Sequence, residues 1–163
     1  MKDDQGFWNF IFSLFFLTVF SGAFWTLSIF EKVPYEIAIF DFVLIILAVF
    51  RLSRLFVYDK ITQFIRDWFL RKEVFVGDAG EVTVIRQDFA SGPLRTIHDL
   101  LSCPWCFGVW SGLVVTFAYF MTPLAWFPIL VLAVSGVGTF LQLFSNMVGW
   151  RAEQLKQKVV GRD

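Results

Sequence analysis

Two cysteines in the second half of the chain form its clearest chemical motif. Cys103 and Cys106 enclose Pro104 and Trp105, and these are the only two cysteines in the sequence. A CxxC pair can bind a tetrahedral zinc ion, although structural zinc sites usually need four ligands. His98, the single histidine, precedes Cys103 by five residues. We therefore predict Cys103, Cys106 and His98 as candidate metal ligands, with zinc as the metal.

Three interpretations of this pair stay open. A zinc site would need Asp99 as a fourth ligand, or a second copy of the chain that shares its thiolates. A redox pair would have its first thiol activated by a helix start, but the chain has no second pair to pass electrons onward. As packing residues, the thiols and Trp105 would simply bury the start of a helix. This last interpretation is favoured, so no catalytic residue is predicted and zinc is the one cofactor left open.

A second candidate group is cationic and lies near the ends of apolar segments. The predicted lipid-, anion- or partner-binding face consists of Arg51, Arg54, Lys60, Arg66, Arg71 and Lys72. Long cationic side chains near helix ends commonly extend to lipid headgroups, and this is the favoured interpretation of Arg51 and Arg54. The alternative is an anion or phospholipid site that Arg66 completes.

The composition of the chain indicates whether water or lipid surrounds the helices that carry these residues. The chain is 57% hydrophobic and 17% charged, with 22 Phe and 7 Trp among its 163 residues. Soluble domains carry roughly a quarter charged residues, and large exposed apolar patches cause aggregation in water. The composition therefore predicts an integral membrane protein with the lipid bilayer as its main partner. A net charge of zero argues against nucleic acid as a partner.

Four apolar segments are long enough to cross a bilayer, which takes about 20 helical residues. They span residues 7–30, 35–58, 103–121 and 125–148. Pro34 and Pro123 separate neighbouring segments, because proline does not easily continue a helix. We predict an all-α integral membrane fold with four transmembrane helices. Residues 1–149 form the membrane domain, including an insert at 59–102, and residues 150–163 form a polar cytoplasmic tail.

The distribution of Lys and Arg predicts the orientation in the cell (inner) membrane. With both termini in the cytoplasm, thirteen of the fourteen cationic residues lie inside, and only Lys32 lies outside. Cytoplasmic loops carry an excess of Lys and Arg. The opposite orientation would invert this ratio, so an N-in, C-in topology is predicted.

The insert between the second and third segments is expected to lie at the cytoplasmic face. Apolar residues recur with helical spacing over residues 59–72, which predicts an amphipathic helix in the membrane interface. Two short apolar runs, 74–76 and 82–85, flank the turn-forming residues Gly77–Gly80 and predict a small β-hairpin. A short helix through Leu101 is expected to follow Pro93.

The fourth segment carries a stripe of polar side chains: Ser135, Thr139, Gln142 and Asn146. Such residues hydrogen-bond between membrane helices. The alternative is that they line a holin-like pore, which would need several copies of the chain.

Two parts of the sequence resemble a family of small bacterial and phage multi-pass membrane proteins of unknown function, sometimes labelled sporulation-associated. They are Arg51-Leu52-Ser53-Arg54-Leu55 with Asp59-Lys60-Ile61, and the run from Cys103 through Pro104, Trp105, Cys106, Phe107, Gly108 and Val109 to Trp110. The resemblance covers roughly residues 40–145 and leaves the first helix as an addition. Because the family has no assigned activity, it implies no mechanism. It does favour one functional unit that combines the arginine pair and the cysteine motif.

The sequence thus predicts a non-enzymatic multi-pass membrane protein that binds partner proteins or lipids at its cytoplasmic face. Homo-oligomers and larger membrane complexes are both compatible with this prediction. The alternatives are a zinc-binding or thiol-redox membrane protein built on Cys103 and Cys106, and the pore-forming oligomer.

Overall fold

Helices dominate the residues that the computed structural model describes, which are 2–76, 82–87 and 89–160. In chain order the helices are α1 (Lys2–Ile29), α2 (Ile39–Val57), α3 (Gln63–Asp67), α4 (Pro93–Ser102), α5 (Pro104–Met121) and α6 (Trp126–Val160). Two strands, β1 (Arg71–Val76) and β2 (Val82–Gln87), lie between α3 and α4. Short 3-10 turns, Lys60–Thr62 and Pro123–Ala125, precede α3 and α6.

Within the part of the chain that the structure describes, three stretches of helix are long and apolar enough to cross a membrane. They are Asp4–Ile29 with 26 residues, Pro104–Met121 with 18 residues and Pro123–Lys158 with 36 residues. These stretches correspond to the first, third and fourth predicted segments. Three of the four predicted spanning helices are therefore confirmed in length and composition.

The second predicted segment differs from the expectation. α2 has 19 residues but carries Asp41, Arg51 and Arg54, and it is not among the three stretches that qualify by composition. Its predicted start at residue 35 was also wrong, since Ala38 has an extended backbone (φ −61°, ψ 142°) and caps the helix. The later start places Asp41 in the first turn, where a carboxylate complements the positive end of the helix dipole.

Despite its charges, α2 supplies the centre of the core. Ala48 is fully buried, and Leu44 is buried next to it. The same cluster contains Val115 of α5 together with Ile129 and Ala133 of α6. The one predicted segment that does not qualify by composition thus packs against both apolar helices that follow it.

A glycine sets the distance between α2 and α6. A Cβ atom on Gly136 would lie 2.6 Å from the backbone oxygen of Leu47, closer than real Cβ contacts. By contrast, a Cβ on Gly108 would come no nearer than 3.9 Å to Ser53, and one on Gly112 would meet nothing within 4 Å. Small residues allow helix backbones to approach closely, and here Gly136 is the one that does so.

The amphipathic helix predicted for residues 59–72 is much shorter than expected. After the 3-10 turn at Lys60–Thr62, α3 ends at Asp67, and Arg71 already belongs to β1. The cause is a set of side-chain bonds that fold α3 back on the end of α2: Thr62 donates to the Leu55 carbonyl and Arg66 to the Phe56 carbonyl. We call the segment Lys60–Trp68 the hook.

The two strands pair antiparallel, with Arg71 opposite Gln87 and Val76 opposite Val82. The predicted runs 74–76 and 82–85 fall inside this pair. The turn expected at Gly77–Gly80 lies outside the described residues, so the complete hairpin stays a prediction.

The helix of the fourth segment continues past its expected end. The prediction ended it at Val148 and began a polar tail at residue 150, but α6 extends to Val160. Residues 151–158 are rich in Arg, Ala, Glu, Gln and Lys, all of which favour helix. The helix therefore continues through much of the predicted tail.

Candidate functional site

The cysteine pair lies at the start of α5. Cys103 is the N-cap, with an extended backbone, and Pro104 occupies the first helical position, where a missing N–H costs nothing. The Cys106 backbone N–H donates to Cys103 Sγ at 3.3 Å. A sulfur atom here occupies the place that a serine or aspartate oxygen usually takes at a helix start.

Both thiols are free, with Cys106 exposed and Cys103 half-buried. The pKa of the Cys103 thiol is lowered, first because the Cys106 thiol donates to it and second because the Cys106 N–H does. Cys103 is thus the thiol that ionises more readily than an ordinary cysteine. A lowered pKa and access to solvent are the two requirements for thiol reactivity.

The pair lines an open groove of about 630 Å³ between α1, α4 and α5. Its polar members include Asn9 and Ser13 of α1 and Asp99 of α4. Further along α1 and α5 the walls become apolar, and Phe16 meets Trp110 edge-to-face with 4.9 Å between ring centroids. The thiols therefore lie at the polar end of an amphipathic groove.

The predicted zinc ligands do not come together. Among residues 2–76, 82–87 and 89–160, no group of three or more His, Cys, Asp or Glu side chains could hold a metal ion. His98 Nε2 instead lies 3.3 Å from Ser102 Oγ, one turn further along α4. Because the chain changes direction between α4 and α5, the five-residue spacing does not bring His98 to the thiols.

Two of the six predicted cationic face residues are engaged inside the protein. Arg51 forms a 2.8 Å ion pair with Asp59 and donates to Ser135 Oγ at 2.9 Å. Arg66 caps the end of α2 and donates to the Asp59 carbonyl at 3.0 Å as well as to Phe56. These hydrogen bonds make Arg51 and Arg66 structural residues of the α2 end.

The remaining residues of the predicted cationic face do not form one cluster. The Arg54 guanidinium lies over the Tyr58 ring at 4.7 Å, within the range of a cation–π interaction. Lys60 and Arg71 are exposed on the hook and on β1 respectively. The structure does not describe the side chain of Lys72, so its place in this face stays a prediction.

The hook exposes a set of apolar side chains. Ile61 is 75% exposed, Phe64 55% and Trp68 70%. The Phe64 and Trp68 rings meet edge-to-face at 5.5 Å. The helical spacing predicted this apolar face, but it could not indicate that Arg66 would hold the face at the end of α2.

A polar cluster that sequence patterns do not reveal joins α1 to α4. Gln5 Nε2 donates to Thr96 Oγ1 at 2.8 Å, and the Gly92 N–H donates to Gln5 Oε1 at 3.1 Å. Asn9 accepts from Thr96 at 3.2 Å. The partners are 87 to 91 residues apart, and no local pattern predicts such a contact. We call this group the α1–α4 latch.

The central helices also carry the similarity to known proteins. Residues 44–145 match the family described as Protein of unknown function (DUF1360). The chain belongs to this family. The match covers α5 and most of α2, whereas α1 precedes it. The extent agrees with the resemblance over roughly residues 40–145 and with α1 as an addition.

Two relatives of the chain come from Bacillus subtilis. The UPF0713 protein YngL is 35% identical over 108 residues, which are 66% of this chain and 79% of that protein. The Sporulation protein YjcA is 34% identical over 101 residues, which are 61% of this chain and 86% of that protein. No solved structure matches the chain.

Proposed function

We propose that the chain crosses the cell membrane four times, with both termini in the cytoplasm. Three helices qualify by length and composition, and α2 packs between two of them. Its 19 residues span about 28 Å, close to the roughly 30 Å of a hydrocarbon core. Arg51 is neutralised by Asp59, which lowers the cost of placing this charge in the membrane.

In this membrane, we propose a non-enzymatic role: the protein binds lipid headgroups, and through them membrane partners, at its cytoplasmic face. The observation that carries the proposal is the exposed apolar surface of the hook. Ile61, Phe64 and Trp68 point away from the bundle while Arg66 fixes the hook to the end of α2. In the proposed topology this end is cytoplasmic, so the aromatic rings would enter the membrane interface, where such residues concentrate.

The exposed cations supply the other half of an interfacial surface. Lys60 is exposed next to Ile61, and Arg71 is exposed just after the hook. Cationic groups near an anionic leaflet contribute about 1 kcal/mol each. Apolar insertion and headgroup attraction would then act on the same segment. The relative YjcA is a sporulation protein by name, which is compatible with a membrane component but specifies no partner.

Hydrogen–deuterium exchange in lipid nanodiscs tests this proposal. Residues 59–70 should exchange more slowly when anionic lipid replaces neutral lipid, and Lys60→Glu/Arg71→Glu should abolish the difference. The matched control is Lys156→Glu/Lys158→Glu, an equal charge change at the far end of α6, where Lys156 and Lys158 are also exposed. Equal protection in both lipids, or an equal effect of the control, would contradict the proposal.

The second candidate function is thiol chemistry at Cys103 and Cys106, favoured by the direct contact between the two residues. Since no third His, Cys, Asp or Glu joins these two among the described residues of one copy, we propose that a zinc site would use thiolates from two copies. Elemental analysis of the purified protein, with Cys103→Ser/Cys106→Ser as the control, distinguishes the outcomes. Stoichiometric zinc that the variant loses supports a metal site, and a reversible disulfide without zinc supports a redox pair. Absence of both removes this candidate.

A further inference from the structure

The polar stripe of α6 has the geometry of a helix-pairing seam. Its four residues follow one another at intervals of four, three and four: Ser135, Thr139, Gln142 and Asn146. These intervals average about 3.7 residues, close to the helical period, and such a spacing keeps one face turned toward a partner helix in a straight or slightly right-handed pair. The four polar residues therefore form one continuous strip along α6 that another helix can contact.

The seam is not the side of α6 that packs on α2. That side contains Ala133 and Gly136, both buried, and it lies roughly a third of a turn away from the seam. Ser135, at the first position of the seam, contacts α2 by accepting from Arg51 at 2.9 Å. Gln142 and Asn146 are exposed, as are all residues from 141 to 150. The inner part of α6 thus presents two carboxamides that the bundle leaves uncovered.

These carboxamides retain hydrogen-bonding capacity. Gln142 Nε2 donates to Asn146 Oδ1 at 3.3 Å, a bond that uses neither the Gln142 carbonyl nor the Asn146 amino group. Lipid tails offer no hydrogen-bond partner, and unsatisfied polar groups in hydrocarbon are costly. A protein partner is therefore required where these residues lie within the bilayer.

The ion pair of α2 borders the same surface. Arg51, Asp59, Ser135, Gly138 and Gln142 line an open groove of about 470 Å³. Gly138 has no atom within 4 Å of its Cβ position, so a second backbone can approach there. Arg51 is already paired with Asp59, and the groove consequently carries no unbalanced charge that would repel an identical surface.

We propose that the partner is a second copy of this chain, which pairs through α6 in a symmetric dimer. The inference rests on the proposed topology, because two copies with the same orientation can be related only by an axis along the membrane normal. Such an axis makes the two α6 helices parallel and places each seam residue against its own counterpart. A carboxamide both donates and accepts, so Gln142 and Asn146 can each pair with themselves. A partner of only one hydrogen-bonding type would leave half of each amide unused.

Disulfide cross-linking in native membranes tests this dimer. In a Cys103→Ser/Cys106→Ser background, single cysteines replace Thr139, Gln142 or Asn146 on the seam. The matched controls are Phe140→Cys and Phe144→Cys, since these exposed residues lie on the opposite side of α6 from Gln142. We expect covalent dimers at the three seam positions and little product at the two controls.

A second measurement keeps the proposal testable if oxidation is inefficient within the bilayer. Energy transfer between labelled copies in liposomes should show association of the native chain. Gln142→Leu/Asn146→Leu should weaken it roughly tenfold, as expected for the loss of interhelical amide bonds. Both residues are exposed, so the variant should keep its helix content.

Three results would overturn the dimer: equal cross-linking at seam and control positions, association unchanged by the leucine variant, and adducts only with a different polypeptide. Labelling of the loops on either side of α2 reports the topology independently. If the loop labelling supports the four-span topology but no dimer forms, only the dimer is wrong. If the loop labelling contradicts the topology, the proposed function fails as well.

Discussion

At the scale of single residues, Gly136 has the strictest steric requirement among the glycines of the described ranges. Gly136→Ala would place a methyl group 2.6 Å from the Leu47 backbone oxygen, so α2 and α6 would have to move apart. We expect a loss of about 1–3 kcal/mol in unfolding free energy, the usual cost of overpacking. Unfolding in mixed detergent micelles measures it. Gly112→Ala is the control, because no atom lies within 4 Å of that position, and an equal loss in both variants would contradict the steric explanation.

The ionisation of the Cys103 thiol depends on its neighbour Cys106. Its pKa is lowered chiefly by the Cys106 thiol, so its reactive thiolate should form at lower pH than that of an ordinary cysteine. Cys106→Ala removes this donor and should shift the alkylation profile of Cys103 to higher pH, whereas Cys106→Ser keeps a hydroxyl donor and should shift it less. Alkylation rates measured by mass spectrometry across pH test this order. Identical profiles for the two variants would show that the side-chain donor is irrelevant.

For single residues, the sequence indicated which side chains could form a site but not which groups they contact in the fold. The cysteines were expected at the start of a helix, and Cys103 is indeed the N-cap of α5, with Cys106 in the first turn. His98 as a third ligand stays a prediction, and among the described residues its ring contacts Ser102 instead of joining the thiols in a group of three ligands. Arg66 was predicted as part of a lipid-, anion- or partner-binding face, and in the structure it donates to carbonyls ten and seven residues earlier in the chain. Charge patterns do not encode such contacts.

At the scale of elements, the hook should depend on Arg66. Arg66→Gln removes the guanidinium that donates to the Phe56 and Asp59 carbonyls, and bonds from a charged donor contribute about 1.5–3 kcal/mol. We expect faster hydrogen exchange in residues 59–67 with little change in α5. Arg71→Gln serves as the control, since the Arg71 side chain is exposed. Equal exchange in both variants would mean that the hook is held by other contacts.

Hydrophobic patterns predicted the long helices because burial in lipid needs only length and apolarity. The starts of α4 and α5 followed from Pro93 and Pro104, which occupy the first helical turn. Periodicity failed for the hook, where five apolar positions suggested a helix of fourteen residues and side-chain capping ended it at Asp67. Local hydrogen bonds from Thr62 and Arg66 thus override an amphipathic pattern.

For the whole molecule, the contacts distinguish a central unit from an added helix. The buried cluster combines α2, α5 and α6, and the family match lies mainly over these helices. α1 joins through the α1–α4 latch near one end, and Lys32, just after α1, donates to the Met121 carbonyl at 2.5 Å. Its exposed Phe residues contribute little to the core. α1 therefore encloses the cysteine groove without forming part of the central packing.

The orientation of the whole chain depends on whether α2 crosses the bilayer. If α2 crosses and both termini are cytoplasmic, thirteen of the fourteen cationic residues lie inside, but the same number do so if α2 does not cross and the N-terminus lies outside. The cytoplasmic excess of Lys and Arg therefore does not decide between the two arrangements. Single cysteines at Glu36 and Lys60, in a Cys103→Ser/Cys106→Ser background, bracket α2 at exposed positions. A membrane-impermeant maleimide should label position 36 in intact cells and position 60 only after permeabilisation. Lys156→Cys provides the internal cytoplasmic control. If positions 36 and 60 react together, α2 does not span the membrane, and its charges lie in water rather than in a neutralised pair within the bilayer.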